Sequence, residues 1–215
     1  MTTSLSTLRT KARRYLNETT ANRWTNVEID AYINEAIVFV QGEIERANPE
    51  WFVRVSTFTA SAGSYQSANA TDIWGNKLRT LLCYPNSTVA TGVPYTVPPG
   101  QLEWIMENVY YSGDKPEAHV MLAGFFRWAP MLTYDSTFRY VYAKKETALS
   151  ADDSNLDRIA DEHADLIAMY AAMIAYEKVG ANTQWLSARF DRGLQKMRWD
   201  VQESAPLTIP QQSID

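Results

Sequence analysis

One stretch of the chain, residues 23–49, reads RWTNVEIDAYINEAIVFVQGEIERANP and predicts a long amphipathic helix. Thr25 and Glu28 have the spacing of a capping box, in which two side chains satisfy backbone N–H groups at a helix start. Apolar residues then recur at the helical period and mark one face: Ile29, Ile33, Ala36, Ile37, Val40 and Ile44. The helix should end at Asn48, because a residue before proline avoids the helical region.

Helical patterns also precede this stretch and close the chain. Residues 4–17 predict a first helix, because their apolar residues fall at helical spacing. Residues 182–202 predict a last helix. This helix carries the apolar residues Trp185, Leu186, Phe190, Leu194, Met197 and Val201. Residues 204–215 contain two prolines and no periodicity, which predicts an extended tail.

A third helix is predicted shortly before the last one, in residues 155–179. Ser154 or Asn155 can cap it, and Gly180 is a suitable stop after about residue 179. Its central part, residues 166–176, is apolar almost all round. Such a helix is expected to be buried on more than one side.

The part of the chain between the second and third helices predicts strands. Residues 51–60 alternate in strand fashion, and residues 85–100 are rich in Pro, Gly, Thr and Ser, as loops are. Residues 118–128 and 137–145 alternate as well, and we expect them to pair with each other.

These patterns together predict an α+β fold. We expect a helical bundle made from an N-terminal helix pair, residues 1–50, and a C-terminal helix pair, residues 151–203. A β-rich insertion, residues 51–150, separates the two pairs, and residues 204–215 form the extended tail.

Composition excludes several classes of protein. The chain has 215 residues, a net charge of -5 and one cysteine, Cys83, so it can form no intramolecular disulfide. Its longest apolar run, residues 166–176, is too short to span a bilayer, and we expect a soluble protein without a membrane contact. The only basic cluster is Arg9, Lys11, Arg13 and Arg14. We interpret it as the solvated face of a helix rather than as a DNA contact.

Catalytic chemistry finds little support in the residue pattern. Asp157, Asp161 and Asp165 would share one face of a helix and could hold a divalent ion, but acidic residues are also favoured at a helix start. His119, His163 and Cys83 form no recognisable catalytic order. We predict no catalytic residue, no metal site and no cofactor.

Tryptophan raises the possibility of a carbohydrate platform. Trp51, Trp74, Trp104 and Trp128 lie in the strand region. Exposed aromatic rings bind sugars in some strand modules, but core packing and subunit contacts explain these residues more simply. We take Trp104 as a candidate contact with a neighbouring protein.

Residues 23–36, RWTNVEIDAYINEA, resemble the N-terminal helix pair of head-to-tail adaptor proteins from tailed bacteriophages. In that family the first helix often ends in Leu-Asn, as Leu16-Asn17 does here. The alanine-rich segment with Met169-Tyr170-Ala171-Ala172 is similar to the third helix of such adaptors. The resemblance covers about the first 45 and the last 60 residues, and the strand region is similar only in placement.

The resemblance implies a non-enzymatic virion protein of the neck region, assembled in the host cytoplasm. Adaptors of this family form a ring, typically of twelve copies, that docks on the portal protein and receives a downstream tail protein. DNA passes through the channel without sequence-specific binding. A tail terminator, a glycan-binding module of the virion and a metal-dependent enzyme remain as alternatives.

In that family the C-terminal tail often makes the portal contact. The tail residues that would serve here as contacts to the portal or to a neighbouring subunit, together with the tryptophan of the insertion, are Pro206, Leu207, Ile209, Pro210, Ile214 and Trp104. A tail of this kind orders on binding, which costs conformational entropy but lets it reach across subunits.

Overall fold

A computed structural model describes residues 3–18, 23–64, 66, 73–85, 91–92, 95–96, 118–122, 125–129 and 131–203. Within these residues the helices are α1 (Leu5–Tyr15), α2 (Asn26–Ala47), α3 (Ala164–Lys178) and α4 (Gln184–Glu203). The strands are β1 (Val53–Ala60), β2 (Ile73–Pro85), β3 (Thr91–Gly92), β4 (Tyr95–Thr96), β5 (Ala118–Leu122), β6 (Phe125–Ala129) and β7 (Ser136–Lys144). The predicted α+β class is confirmed.

The chain divides into two compact units. The helical unit consists of Met1–Trp51 together with Glu146–Asp215, and the strand unit consists of Phe52–Lys145. The helical unit therefore draws on both ends of the chain, so its core depends on contacts between residues more than a hundred positions apart in sequence. The first and last helices cannot form that core from neighbours in sequence alone.

Helix α2 begins and ends as its sequence predicts. The Thr25 hydroxyl accepts a hydrogen bond from the Glu28 backbone N–H at 3.2 Å, and the Glu28 carboxylate accepts one from the Thr25 backbone N–H at 2.8 Å. The predicted capping box is thus confirmed. At the other end, Asn48 is extended with φ -144°, as expected for a residue before proline.

Aromatic rings fill the space where α2, α3 and α4 meet. The ring of Phe39 on α2 stacks on Tyr170 of α3 with 4.3 Å between centroids. Phe190 of α4 packs against both rings, at 6.0 Å and 5.5 Å. Nearer the start of α2, the edge of Trp24 meets Tyr176 at 6.2 Å. Such offset and edge-on pairs stabilise a core beyond the area that they bury.

Helix α3 is the most enclosed element of the helical unit. Its buried residues lie all round its axis, as predicted: Ala164, Leu166, Ile167, Ala168, Met169, Ala171, Ala172 and Ala175. Helix α4 approaches it closely at Gly193, where a Cβ atom would lie 2.7 Å from Cδ2 of Leu166. The absence of a side chain at Gly193 leaves room for Leu166.

The predicted start of α3 is wrong. The helix begins at Ala164, about nine residues later than expected, and residues 150–163 form turns and bends instead. The buried carboxylate of Glu146 accepts hydrogen bonds from the backbone N–H groups of Asp157, Arg158 and Ile159 at 3.1, 2.6 and 3.1 Å. These bonds satisfy the backbone of the segment without a helix.

The strand unit contains a four-stranded sheet with the order β1-β7-β2-β3 and a three-stranded sheet with the order β4-β5-β6. Strand β7 pairs antiparallel with β1 from Val53↔Ala143 to Ala60↔Ser136, and antiparallel with β2 on its other side. The expected pairing of residues 118–128 with 137–145 is therefore wrong. Residues 118–129 instead supply two strands, β5 and β6, that pair with each other.

Aromatic stacking also forms the core of the strand unit. The ring of Phe58 on β1 lies 4.8 Å from Phe138 and 5.5 Å from Phe126. Trp128 is fully buried, packs 4.7 Å from Phe138 and donates its indole N–H to the Ser64 carbonyl at 3.1 Å. Its buried polar group is thereby satisfied.

Candidate functional site

Two residues of the basic cluster of α1, Arg9 and Arg13, bond within the helical unit, whereas Arg14 is exposed. Arg9 donates two hydrogen bonds of 2.8 Å to the Asp30 carboxylate and also lies 2.9 Å from Asp152. Arg13 is only 6% exposed. It bonds the Glu18 carboxylate at 2.9 Å and the Trp24 carbonyl at 3.0 Å. The prediction of a solvated face is wrong for both arginines, which hold α1 against the start of α2.

The acidic residues that suggested a metal site are separated by the late start of α3. Asp157 and Asp161 precede the helix, and only Asp165 lies on it. Asp161 accepts a hydrogen bond from the Thr3 hydroxyl at 2.5 Å, which lowers the pKa of its carboxyl group. Asp165 accepts one from Tyr15 at 2.6 Å. Among the described residues, no group of three His, Cys, Asp or Glu side chains is placed to hold a metal ion.

Tyr15 couples α1 to α3 through the same contact. Burial, together with the hydrogen bond to Asp165, raises the pKa of its phenol to about 12. Its carbonyl accepts a hydrogen bond from the hydroxyl of Tyr176 at 3.1 Å. Asp165 and Tyr15 are therefore parts of the contact between two helices.

A cleft of about 560 Å³ lies between the first turn of α3 and the middle of α4. Its polar lining combines carboxylates with cations: Glu162, His163, Asp165, Arg189, Arg192, Lys196 and Asp200. His163 is buried there, and burial lowers the pKa of its imidazole, so the ring is neutral at pH 7. The cleft thus offers mixed charge without a clear preference for anions or cations.

The other residues considered for chemistry lie in packed surroundings. The thiol of Cys83 is buried, and burial raises its pKa to about 11, which keeps it protonated at neutral pH. His119 is also buried. Trp128 is a core residue, and Trp51 donates its indole N–H to the Arg158 carbonyl at 3.2 Å. The fully buried Trp128 cannot offer the open ring face that a carbohydrate platform requires.

The exposed tryptophans lie elsewhere, on the outer face of α4. Trp185 is 54% exposed and Trp199 is 64% exposed, whereas the buried residues of α4 are Leu186, Phe190, Leu194, Met197 and Val201. Trp185 therefore lies apart from the other apolar residues of this helix, which are buried. Trp185, Arg192 and Trp199 are seven residues apart, which is close to two helical turns, so they share one line along the helix.

We call Trp185, Arg192, Lys196 and Trp199 the α4 outer face. All four are exposed, and Lys196 lies beside the line that the other three form. Tryptophan and arginine are the residues most enriched among strong contacts in protein interfaces. The sequence carried a usable signal, because the two tryptophans and Arg192 recur at a spacing of seven opposite the buried residues.

The model of the SU10 adaptor protein family matches residues 3–210 of the chain. The chain belongs to the SU10 adaptor protein family. No curated protein matches it. The resemblance to phage head-to-tail adaptors is thereby confirmed at the level of the family, and the protein is a structural adaptor of a phage virion.

An adaptor acts through contacts with other virion proteins, so the outer surfaces of the helical unit are candidate contact surfaces. Among the described residues, no helix is long and apolar enough to cross a membrane. The proposed contact residues of the tail, and Trp104, lie outside the described residues: Pro206, Leu207, Ile209, Pro210 and Ile214. The side chain of Trp74 is likewise not described.

Proposed function

We propose that this SU10 adaptor assembles as a closed ring of identical subunits beneath the portal protein and links the portal to a downstream tail protein. The observation that carries the proposal is the family match, which extends from the first helix beyond the last one. The protein acts by assembly and not by catalysis. The DNA passes through the ring, and a net charge of -5 disfavours adhesion of the duplex to the channel wall.

The proposal also assigns a role to each segment of the subunit. Residues 1–50 and 151–203 form the helical bundle that builds the ring, residues 51–150 form the β-rich insertion, and residues 204–215 extend as a tail. The exposed tryptophans of α4 support a role in assembly, because large exposed aromatic groups on a soluble subunit mark surfaces that become covered.

The tail supplies the portal contact in this proposal. The tail combines two prolines, Pro206 and Pro210, with the apolar residues Leu207, Ile209 and Ile214, which suits a segment that binds in an extended form. Trp104 of the insertion is the proposed contact with a neighbouring protein. Binding of the tail orders it, and the entropy lost on ordering is offset by contacts to the portal.

The test is the mass of the purified full-length chain, alone and after mixing with portal rings of the same phage. We expect a single subunit alone and a complex of one portal ring with many adaptor copies after mixing. Deletion of residues 204–215 should abolish the complex. A matched control replaces residues 204–215 by Gly and Ser at equal length, and it should fail as the deletion does. A full-length chain that ignores the portal at high concentration would refute the proposal.

A further inference from the structure

Among the described residues, the α4 outer face remains exposed, with Trp185 54% exposed and Trp199 64% exposed. Helices α2 and α4 already contact each other through their inner faces, where Phe39 packs on Phe190 and Arg198 bonds the carboxylate of Glu43. At the end of α2, the Asn48 side chain donates to the Val201 carbonyl at 3.1 Å. The α4 outer face therefore points away from this contact.

Helix α2 has an exposed face of opposite character. Val27 is 78% exposed and Val38 is 45% exposed, and Ala31 and Glu35 are exposed between them. Positions 27, 31, 35, 38 and 42 fall within about 80° of one another around a helix of 3.6 residues per turn. A Cβ atom placed on Gly42 meets nothing within 4 Å, so this end of the face is open. We call Val27, Ala31, Glu35, Val38 and Gly42 the α2 outer face.

The two faces match in length, in shape and in charge. From 27 to 42 the α2 face is about 22 Å long, and from 185 to 199 the α4 face is about 21 Å long, at 1.5 Å per residue. The α4 face presents two large rings and the cations Arg192 and Lys196. The α2 face presents small side chains, into which such rings can pack, and the carboxylate of Glu35.

Charges at the borders do not reverse this match. Lys178 lies over the Tyr32 ring at 4.5 Å and interacts with Glu35 within the subunit, and Asp200 lines the same cleft as Arg192 and Lys196. Arg192 and Lys196 occupy the middle of the α4 face, between the tryptophans, and Glu35 occupies the middle of the α2 face. If the two faces are placed against each other, Arg192 comes opposite Glu35 at the centre of the contact, where charges are most strongly desolvated.

We propose that the α4 outer face of one subunit packs against the α2 outer face of a second copy, and that this contact closes the ring. The inference rests on the ring proposed above. A ring needs two unlike, complementary faces on each subunit, so that every contact repeats the one before it. The two faces meet this requirement, because they lie on different helices and differ in side-chain size and in the sign of their central charge.

A charge exchange tests the pairing. Arg192→Glu places like charges opposite Glu35, and Glu35→Arg places like charges opposite Arg192. Each variant alone should need about tenfold more protein for half-maximal assembly on portal rings, because like charges facing each other in an interface are unfavourable. The chain that carries both substitutions should assemble as the parent does. So should an equimolar mixture of the two single variants, since an alternating ring pairs opposite charges at every interface.

The controls separate this inference from the proposed function. Both positions are exposed, so circular dichroism should show unchanged folding of each variant. If the parent assembles and both single variants assemble equally well, the pairing is refuted and the adaptor function stands. Single variants that fail without rescue in the mixture also refute it, because the substituted residues then contact something other than each other. A parent that forms no ring refutes both.

Tryptophan substitution gives a second measurement that does not depend on charge. Trp199→Ser should weaken assembly, whereas Tyr134→Ser should not, because Tyr134 is a half-exposed aromatic residue of the strand unit. Equal effects of the two substitutions would overturn the assignment of the α4 outer face.

Discussion

The two central helices of the helical unit, α2 and α3, begin in opposite ways. The start of α2 is made by neighbours in sequence, because Thr25 and Glu28 satisfy each other's backbone N–H groups. The start of α3 is made by a residue eleven or more positions upstream. Glu146 fixes the preceding segment, and the residue before the helix, His163, makes no capping hydrogen bond with its side chain. A local signal is readable from sequence, and a tertiary one is not.

Glu146 itself is held by α2. Its backbone N–H donates to the buried side chain of Gln41 at 3.0 Å. Nearby, the side chain of Asn34 donates to the Leu149 carbonyl at 3.0 Å and accepts from the Leu149 N–H at 2.8 Å. The segment before α3 is therefore positioned by α2, so the start of the third helix depends on the prior placement of the second.

Removal of the Glu146 carboxylate should have the largest effect on this arrangement. Glu146→Ala leaves three backbone N–H groups without their acceptor, and we expect a loss of about 3 kcal/mol in the free energy of unfolding. Urea unfolding followed by circular dichroism measures it. Glu146→Gln keeps one acceptor oxygen and should lose less.

The matched control is Glu162→Ala, at an exposed carboxylate in the same segment, which should change stability little. Hydrogen exchange of residues 155–163 adds a structural readout. We expect these amides to exchange faster in Glu146→Ala. Slower exchange, with stability retained, would mean that the segment turns helical once Glu146 is gone, and that the difference between the two helix starts is not intrinsic.

The same distinction explains which parts of the fold the sequence predicts. The capping box, the apolar face of α2 and the end at Asn48 depend on neighbours, and all three are confirmed. The predicted start of α3 was wrong, because Glu146 lies eleven or more residues before the backbone groups that it binds, too far along the chain for a helical pattern to show. The predicted pairing of residues 118–128 with 137–145 was wrong, because an alternating pattern does not show where a chain reverses. A glycine inside a strand pattern, here Gly124, often marks such an interruption.

The candidate surfaces follow a similar rule. Trp185 and Leu186 are adjacent and both are apolar, so composition alone does not separate the exposed residue from the buried one. Only the seven-residue spacing of Trp185, Arg192 and Trp199 separates the outer line from the buried one. The role of Arg13 could not be predicted at all, since its partners include a backbone carbonyl that only the folded chain brings near.

Loss of the α2 cap should have a smaller effect than loss of Glu146. Thr25→Ala removes the side-chain acceptor for the Glu28 N–H, and we expect a loss of about 1 kcal/mol in the free energy of unfolding. Thr25→Ser retains the hydroxyl and should cost only a few tenths. If Thr25→Ala lowers the free energy of unfolding as much as Glu146→Ala does, the start of α2 also depends on tertiary contacts. The two helix starts would then differ less than proposed.

The smallest expected effect is a difference in pH dependence at the start of α3. Burial lowers the pKa of His163 in the folded chain, and the charge of Lys196 lowers it further. The carboxylates of Glu162 and Asp200 act in the opposite direction. The unfolded chain therefore binds the proton first as the pH falls. The stability that depends on neutral His163 is complete above the unfolded pKa of about 6.5 and is lost as the pH falls below it.

His163→Asn cannot titrate, and asparagine is favoured at a helix N-cap. Between pH 7.5 and pH 5.5 the urea midpoint should therefore fall less in His163→Asn than in the parent. Glu162→Gln serves as the control, because it removes the neighbouring carboxylate but leaves the buried imidazole, and it should keep a fall at least as large as the parent's. If the urea midpoint falls equally with pH in the parent and in His163→Asn, the imidazole is hydrated at the helix start. In that case α3, like α2, would begin at a solvated cap, and the two helices would differ only in what precedes them.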